Sequence, residues 1–365
     1  MKSTKDWFSQ TAFLAILFFF ALASYAQNAT WTGNFGSSWN NPFNWSPITV
    51  PTGTGKFGPS NQTMITSLLP LTIGTIQFNQ GAPAYIISPF SIFAINGSGI
   101  VNNSSNTQTF EVGLATLEFF NASTASNSTI ITENLGVTRF FDTSIGGQTR
   151  FVTDQFGLVD ISDLSSPGMT AGSIEGAGTY FLGSKELTVG LNNLSTTVSG
   201  LIAGVGGSLV KVGTGTLTLT GNNLYSGGTT IEDGTLVVGT PSAAQAISFA
   251  LGTGNVFLQG GTLRTPSLDP LIINVGRNYT QSPNGTLALG IGGVDGKDYD
   301  HVRVQGSASL NGTLGVFALN NFHPADGNAF EVLRTGGHRS GQFAIVNDSL
   351  NNNPNLQRID VYAPN

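Results

Sequence analysis

The side chains that could do chemistry are few: three histidines, His301, His323 and His338, no cysteine, and 20 acidic against 14 basic residues in a chain of 365. Nucleophilic catalysis needs a serine or cysteine beside a base that a third group orients. No Gly-x-Ser-x-Gly elbow exposes a serine here. His301 follows Asp300 directly, but neighbours on a strand point to opposite faces, so the pair does not make the orienting contact of a triad. Asp295, Asp298 and Asp300 lie in a single Gly-rich turn that has the look of a calcium-binding nonapeptide. Such turns work in tandem, successive coils feeding one ion, and a single copy with Lys297 inside it reads as an exposed acidic turn. Asp154, Asp160 and Asp163 are the acids a polysaccharide-cleaving site would draw on, yet no basic residue falls between Arg150 and Lys185 to serve beside them. Gly53-Thr54-Gly55-Lys56-Phe57-Gly58 matches the dinucleotide fingerprint, which works only between a strand and a helix; after Pro51 and with no helical pattern following, it reads as a loop. Thr216, Thr218 and Thr220 share one strand face, and outward threonines are ordinary in half-exposed strands. No catalytic, cofactor-binding or metal-ligating residue is assigned, and no cofactor is expected.

The elements behind these residues repeat. Gly-Thr-Leu begins at Gly215, Gly234, Gly261, Gly285 and Gly312, in steps of 19, 27, 24 and 27 residues. A period in this range marks a repeat architecture. The flanking sequence alternates apolar and polar residues with the period of a strand, as in Thr216-Leu217-Thr218-Leu219. The prediction is an all-β chain, one solenoid coil per repeat, in which glycine turns the corner, threonine opens the strand outward and leucine enters the core. Roughly 24 residues per coil gives about 14 coils and a rod of about 65 Å.

Composition agrees with stacked strands and turns. Only 9% of residues are charged, while Gly alone numbers 48; ordinary domains carry about 25% charge. The chain opens with a basic stretch, an apolar run from Ala12 to Ala23 and small residues at Ser24 and Ala26, the pattern of a signal peptide over 1–26 cleaved before Gln27. That apolar run is shorter than the roughly 20 residues a membrane-spanning helix needs, and no later segment reaches that length. Without residues 1–26 the balance is 12 basic against 19 acidic, a net charge of −7. Nucleic acid is excluded as a partner, because a phosphate backbone calls for clustered Lys and Arg. With no cysteine, disulfides are unavailable and burial with backbone pairing must hold the fold.

Three tryptophans, Trp31, Trp39 and Trp45, fall in an N-terminal segment of different character, 27–60. A solenoid must cover the apolar cross-section of its first coil, so this segment reads as a cap, with a sugar-binding aromatic platform as the alternative. In the middle, Phe119-Phe120 and Phe140-Phe141 lie 21 residues apart. If 21 residues make one coil, Phe119 and Phe120 sit beneath Phe140 and Phe141, and Glu118 pairs with Arg139. From about Gly290 the pattern loosens, and 291–365 reads as a β-rich C-terminal end region after a solenoid over 61–290.

Ser208-Leu209-Val210-Lys211-Val212-Gly213-Thr214-Gly215-Thr216-Leu217-Thr218-Leu219, continuing through Asn223, Tyr225, Gly227, Gly228 and Gly234-Thr235-Leu236, closely resembles the autotransporter-associated β-strand repeat, or passenger-associated transport repeat, over 208–239. The resemblance implies a right-handed parallel β-helix exported by a Gram-negative-type bacterium and secreted or held at the cell surface or outer membrane. It also implies a non-catalytic structural or adhesin role, with a surface ligand such as a glycan or another envelope protein. Autotransporters end in a β-barrel translocator; the sequence stops at Asn365 without one, so export through a barrel of its own is not expected. The competing reading is a carbohydrate-active β-helix enzyme, a polysaccharide lyase or glycoside hydrolase.

Overall fold

A computed structural model describes residues 26–239, 247–266 and 269–350. The predicted signal peptide and the last part of the end region lie outside the described residues. Within them the chain winds as a parallel β-solenoid. A sheet of 13 strands, from Met64–Ser67 to Ile345–Asp348, takes one strand from every coil. A second sheet of 11 strands forms the facing wall from the N-terminus to Leu224–Tyr225, and a four-stranded sheet from Ile247–Ser248 to Leu333–Thr335 follows it. A third wall of eight strands begins only at Gly168–Ala171. Early coils are therefore two-sided and later ones three-sided. Apart from one antiparallel strand pair at the N-terminus, every ladder between strands is parallel, and the one helix among the described residues is a 3-10 turn at Pro42–Asn44.

The Gly-Thr-Leu triplets stack as the sequence predicts. Thr216, Thr235, Thr262, Thr286 and Thr313 are successive register partners on the 13-stranded sheet, half-exposed, and the leucine after each is buried. Burying such a leucine is worth about 1.5–3 kcal/mol, so register is enforced because a slip of one residue would turn every leucine outward. Coil length meanwhile runs from 19 residues, Thr216 to Thr235, to 32, Thr313 to Ile345. The extra residues go into the corners.

The 21-residue register also holds. Phe119 pairs with Phe140, their rings stacked at 4.7 Å and 4°, and Phe120 stacks on Phe141 at 4.6 Å. Glu118 and Arg139 are register partners on the same face, but the ion pair goes the other way: Arg139 reaches Asp160 of the next coil at 3.9 Å. Stacking places Arg139 between two carboxylates, and the sequence comparison saw only one of them.

The tryptophans form the cap. Trp31, Trp39 and Trp45 are buried, with Trp45 edge-on to Trp31 at 5.1 Å and to Trp39 at 4.9 Å, all against Phe57. Their faces are not open to stack on a sugar. The predicted loop at Gly53–Gly58 is corrected: Thr54–Phe57 is a strand between Ala29–Trp31 and Leu71–Phe78. Gly55 belongs to packing, since a Cβ there would lie 3.3 Å from Trp39 and 3.4 Å from Trp45.

Candidate functional site

The acids and histidines stay apart. Among the described residues no group of three or more His, Asp or Glu side chains converges. Asp160 is taken by Arg139, and it also accepts from the backbone N–H and the hydroxyl of Ser162 at 2.9 and 2.7 Å. Asp154 and Asp163 share no hydrogen bond or ion pair with it. His301 spends both ring nitrogens on backbone carbonyls, Nδ1 on Glu331 at 2.9 Å and Nε2 on Gly296, while His323 and His338 are exposed. A shallow depression of about 500 Å³ on the 13-stranded sheet is lined by Ala288, Phe317, Val346 and Asp348, with one ionisable group among its walls.

Asp300 behaves differently from its neighbours in the acidic turn. As its strand alternation requires, it points inward while His301 points out, and it is fully buried. Its carboxylate accepts from the Leu271 N–H at 2.7 Å, the Gly290 N–H at 2.5 Å and the Thr265 hydroxyl. Burial outweighs these donors and pushes the carboxyl up to about 6. It ties three corner segments together, so the turn is not a set of free calcium ligands.

The repeat segment carries an organised polar contact that spans two coils. Lys211 ends the strand Ser208–Lys211 with its side chain inside the solenoid, 1% exposed. Its ammonium donates to the carbonyls of Val212 at 2.7 Å and Gly213 at 2.8 Å in its own coil, and of Asp233 at 3.2 Å in the next. Burial lowers its pKa to about 8, with Asp233 acting weakly against the fall. The corners close tightly around it: Gly234 has φ +65°, and a Cβ there would stand 2.3 Å from the Gly213 carbonyl. Three coils on, Gln281 occupies the same inward column and does the same work. Its amide donates to Gly285 and Thr313 carbonyls, both at 2.9 Å, while its oxygen accepts from Tyr279 at 2.6 Å.

Sequence reasoning missed both clamps. Lys211 stands in an apolar alternation and Gln281 in Tyr-Thr-Gln, where either side chain reads as pointing into solvent; the signal was that each falls on the inward parity of its strand. The threonines were judged from one strand, and the structure extends them to a single file of five coils. The neighbouring outward column breaks into Thr218, Val237, Arg264 and Ala288. The face is a threonine row beside a mixed row.

Among the described residues no helix is long and apolar enough to cross a membrane. The family called passenger-associated-transport-repeat matches residues 209–238. These residues run from the strand that ends at Lys211 to the end of Thr235–Val238, so the match contains Lys211 together with all three carbonyls it holds. Over 125 residues, a third of the chain, the sequence is 34% identical to the adhesin BmaC autotransporter of Brucella suis biovar 1 (strain 1330). The aligned part spans only 3% of that relative's length. The chain carries the passenger-associated transport repeat, built into a continuous parallel β-solenoid and similar over a third of its length to an autotransporter adhesin.

Proposed function

We propose that the protein is an exported, non-catalytic β-solenoid of passenger type that serves at the cell surface as an adhesin or envelope spacer. A signal peptide over 1–26 directs it out of the cytoplasm, a cap over 27–60 closes the first coil, and the solenoid that follows includes the repeat at 208–239 and continues past residue 290 in parallel strands as far as Ile345–Asp348. The observation that carries this reading is the matched repeat itself: a coil and a half that brings its own stacking clamp, Lys211 on Asp233, and so templates the next coil as the chain emerges. A surface ligand would meet half-exposed threonines and serines on long flat faces, which suits hydrogen bonding to a glycan or to another envelope protein.

The test is display and adherence. Expressed with its leader in a Gram-negative host, the protein should be digested by protease added to intact cells, and should raise adherence of those cells to glycan-bearing surfaces. Protein that stays in the cytoplasm, or adherence unchanged by its loss, overturns the reading. So does release of reducing ends or unsaturated sugars from a polysaccharide panel by the purified chain, which would mark an enzyme.

A further inference from the structure

Five successive coils turn the same corner, from the 13-stranded sheet into the 11-stranded one, with a large apolar side chain facing solvent. These are Leu68, Phe90, Leu114, Leu135 and Phe156, exposed by 61, 59, 73, 66 and 64%. The flanking ladders align them: Ser67 pairs with Pro89, Ile92 with Thr116, Thr116 with Val137 and Val137 with Leu158. At about 4.8 Å per coil the ridge is roughly 19 Å long. Single exposed leucines are unremarkable, but a contiguous ridge is not. The next coil turns this corner with Gly176-Ala177-Gly178, and the ridge stops.

We propose that this ridge is a self-association surface, on which a second copy of the chain docks antiparallel about a two-fold axis at Leu114. Three observations choose the occupant and the direction. First, the order Leu, Phe, Leu, Leu, Phe is self-complementary on reversal: Leu68 faces Phe156 of the second copy, Phe90 faces Leu135, and Leu114 faces itself, so each phenylalanine meets a leucine. A two-fold interface requires this reciprocity. Second, the only charges in these corners are Glu133 and Asp154, beside Leu135 and Phe156. The antiparallel arrangement sets them against the uncharged corners 67–70 and 89–91, where a parallel one would set each acid against itself. Third, a phenylalanine presents about 150–250 Å² when free, and the smaller leucines fall toward the lower end of that range. At these exposures the ridge offers about 600 Å² per copy, or about 1,200 Å² for the pair, the lower limit of a specific interface. An interface at this lower limit belongs with the weak, transient associations. The proposal needs neither export nor adhesion.

The chain has no cysteine, so cross-linking reports the geometry directly. With the full chain, sedimentation velocity should show monomer passing to dimer over micromolar concentrations. Leu114→Glu, at the axis and therefore doubled, should weaken the dimer at least tenfold with an unchanged far-ultraviolet circular dichroism spectrum. Under mild oxidation Leu114→Cys alone should form a disulfide dimer. Leu68→Cys should cross-link when mixed with Phe156→Cys and not by itself, with Val205→Cys, 87% exposed and off the ridge, giving the collisional background. The proposal is overturned by a monomer at every concentration, or by a dimer indifferent to Leu114→Glu. Leu68→Cys pairing with itself as fast as Leu114→Cys would mean a parallel arrangement. A monomer that sediments with phosphatidylcholine vesicles through Leu114 would assign the ridge to lipid.

Discussion

Replacing Lys211 by methionine keeps the stem and removes the ammonium that spans two coils. Its charge costs stability where it lies: the pKa falls from 10.5 to about 8, and at about 1.4 kcal/mol per unit this is roughly 3 kcal/mol at neutral pH. Against that cost stand three hydrogen bonds from a charged donor to the carbonyls of Val212, Gly213 and Asp233. Each is worth roughly 1.5–3 kcal/mol. The shift compares ammonium with neutral amine, whereas methionine leaves all three carbonyls without a donor, at roughly 1–3 kcal/mol each; less the cost of burying the charge, Lys211→Met should destabilise this part of the solenoid by about 3 kcal/mol. Because a solenoid is coupled chiefly to its neighbours, the loss is best read locally, by hydrogen exchange of the amides in Thr216–Leu219 and Thr235–Val238. The pH dependence gives a second readout. A depressed pKa means the native chain binds fewer protons than the unfolded one between pH 8 and 10.5, so the contribution of Lys211 to stability rises with pH across that window. Methionine should abolish the rise. Above pH 10 the trend reverses in both proteins, since burial raises the hydroxyls of Tyr180, Tyr225 and Tyr279 and the unfolded chain ionises first. Equal protection in wild type and Lys211→Met, or a variant that keeps the rise from pH 8, would refute the clamp.

In the Gly-Thr-Leu ladder, Leu236→Ala should cost about 2–5 kcal/mol by opening a cavity in the leucine column, while Thr235→Ala one residue away stays within about 0.5 kcal/mol; exchange protection of Thr262–Arg264 in the next coil checks both. Asp300 sets an acid-side dependence. Its folded pKa, about 6, lies above the ordinary 3.8, so its contribution is fully present below pH 3.8 and is lost as pH rises through 6, by up to about 3 kcal/mol. Thermal unfolding of Asp300→Asn between pH 4 and 7 should lack this component, and a slope identical to wild type would show that the carboxyl does not titrate there.

What the sequence made legible was whatever repeats along one strand. The triplets announced both the coil and its inward leucines, and the doubled phenylalanines fixed a register to the residue. Trp39 and Trp45 could be assigned to a cap because three indoles in a loop-rich segment have few other fates. The errors came from contacts between coils that share no motif. Gly53–Gly58 reads as a loop because it follows Pro51 and no helical pattern comes after it; the reason for Gly55 in a strand is the pair of indoles lying on it, supplied from elsewhere in the chain. Arg139 was paired with Glu118 of the coil before when its ion pair is with Asp160 of the coil after, and a single repeat distance cannot choose between the two sides. Asp300 reads as part of an exposed acidic turn because the turn is a single copy with Lys297 inside it, yet strand parity turns it inward.

The change of cross-section at Gly168–Ala171 ties these features together. In the two-sided coils the corner from the 13-stranded sheet projects Leu114, Leu135 or Phe156, whereas in the coil of Gly176-Ala177-Gly178 it carries only small residues and nothing large projects. A third wall supplies a further inward column, through Ala171, Val189, Lys211, Ile231, Leu258 and Gln281. That column ends beside the corner where glycines leave carbonyls facing the interior, and such carbonyls need donors. Lys211 and Gln281 are long enough to reach them from a strand end; Ala171, Val189 and Ile231 carry no donor. The two-sided half meets the same need from another element: Gln108, buried just before the strand Thr109–Val112, donates its amide to the Pro83 carbonyl of the coil before at 3.1 Å and to the Asn106 carbonyl at 3.2 Å, so such a clamp follows from buried corner carbonyls and not from the third wall alone.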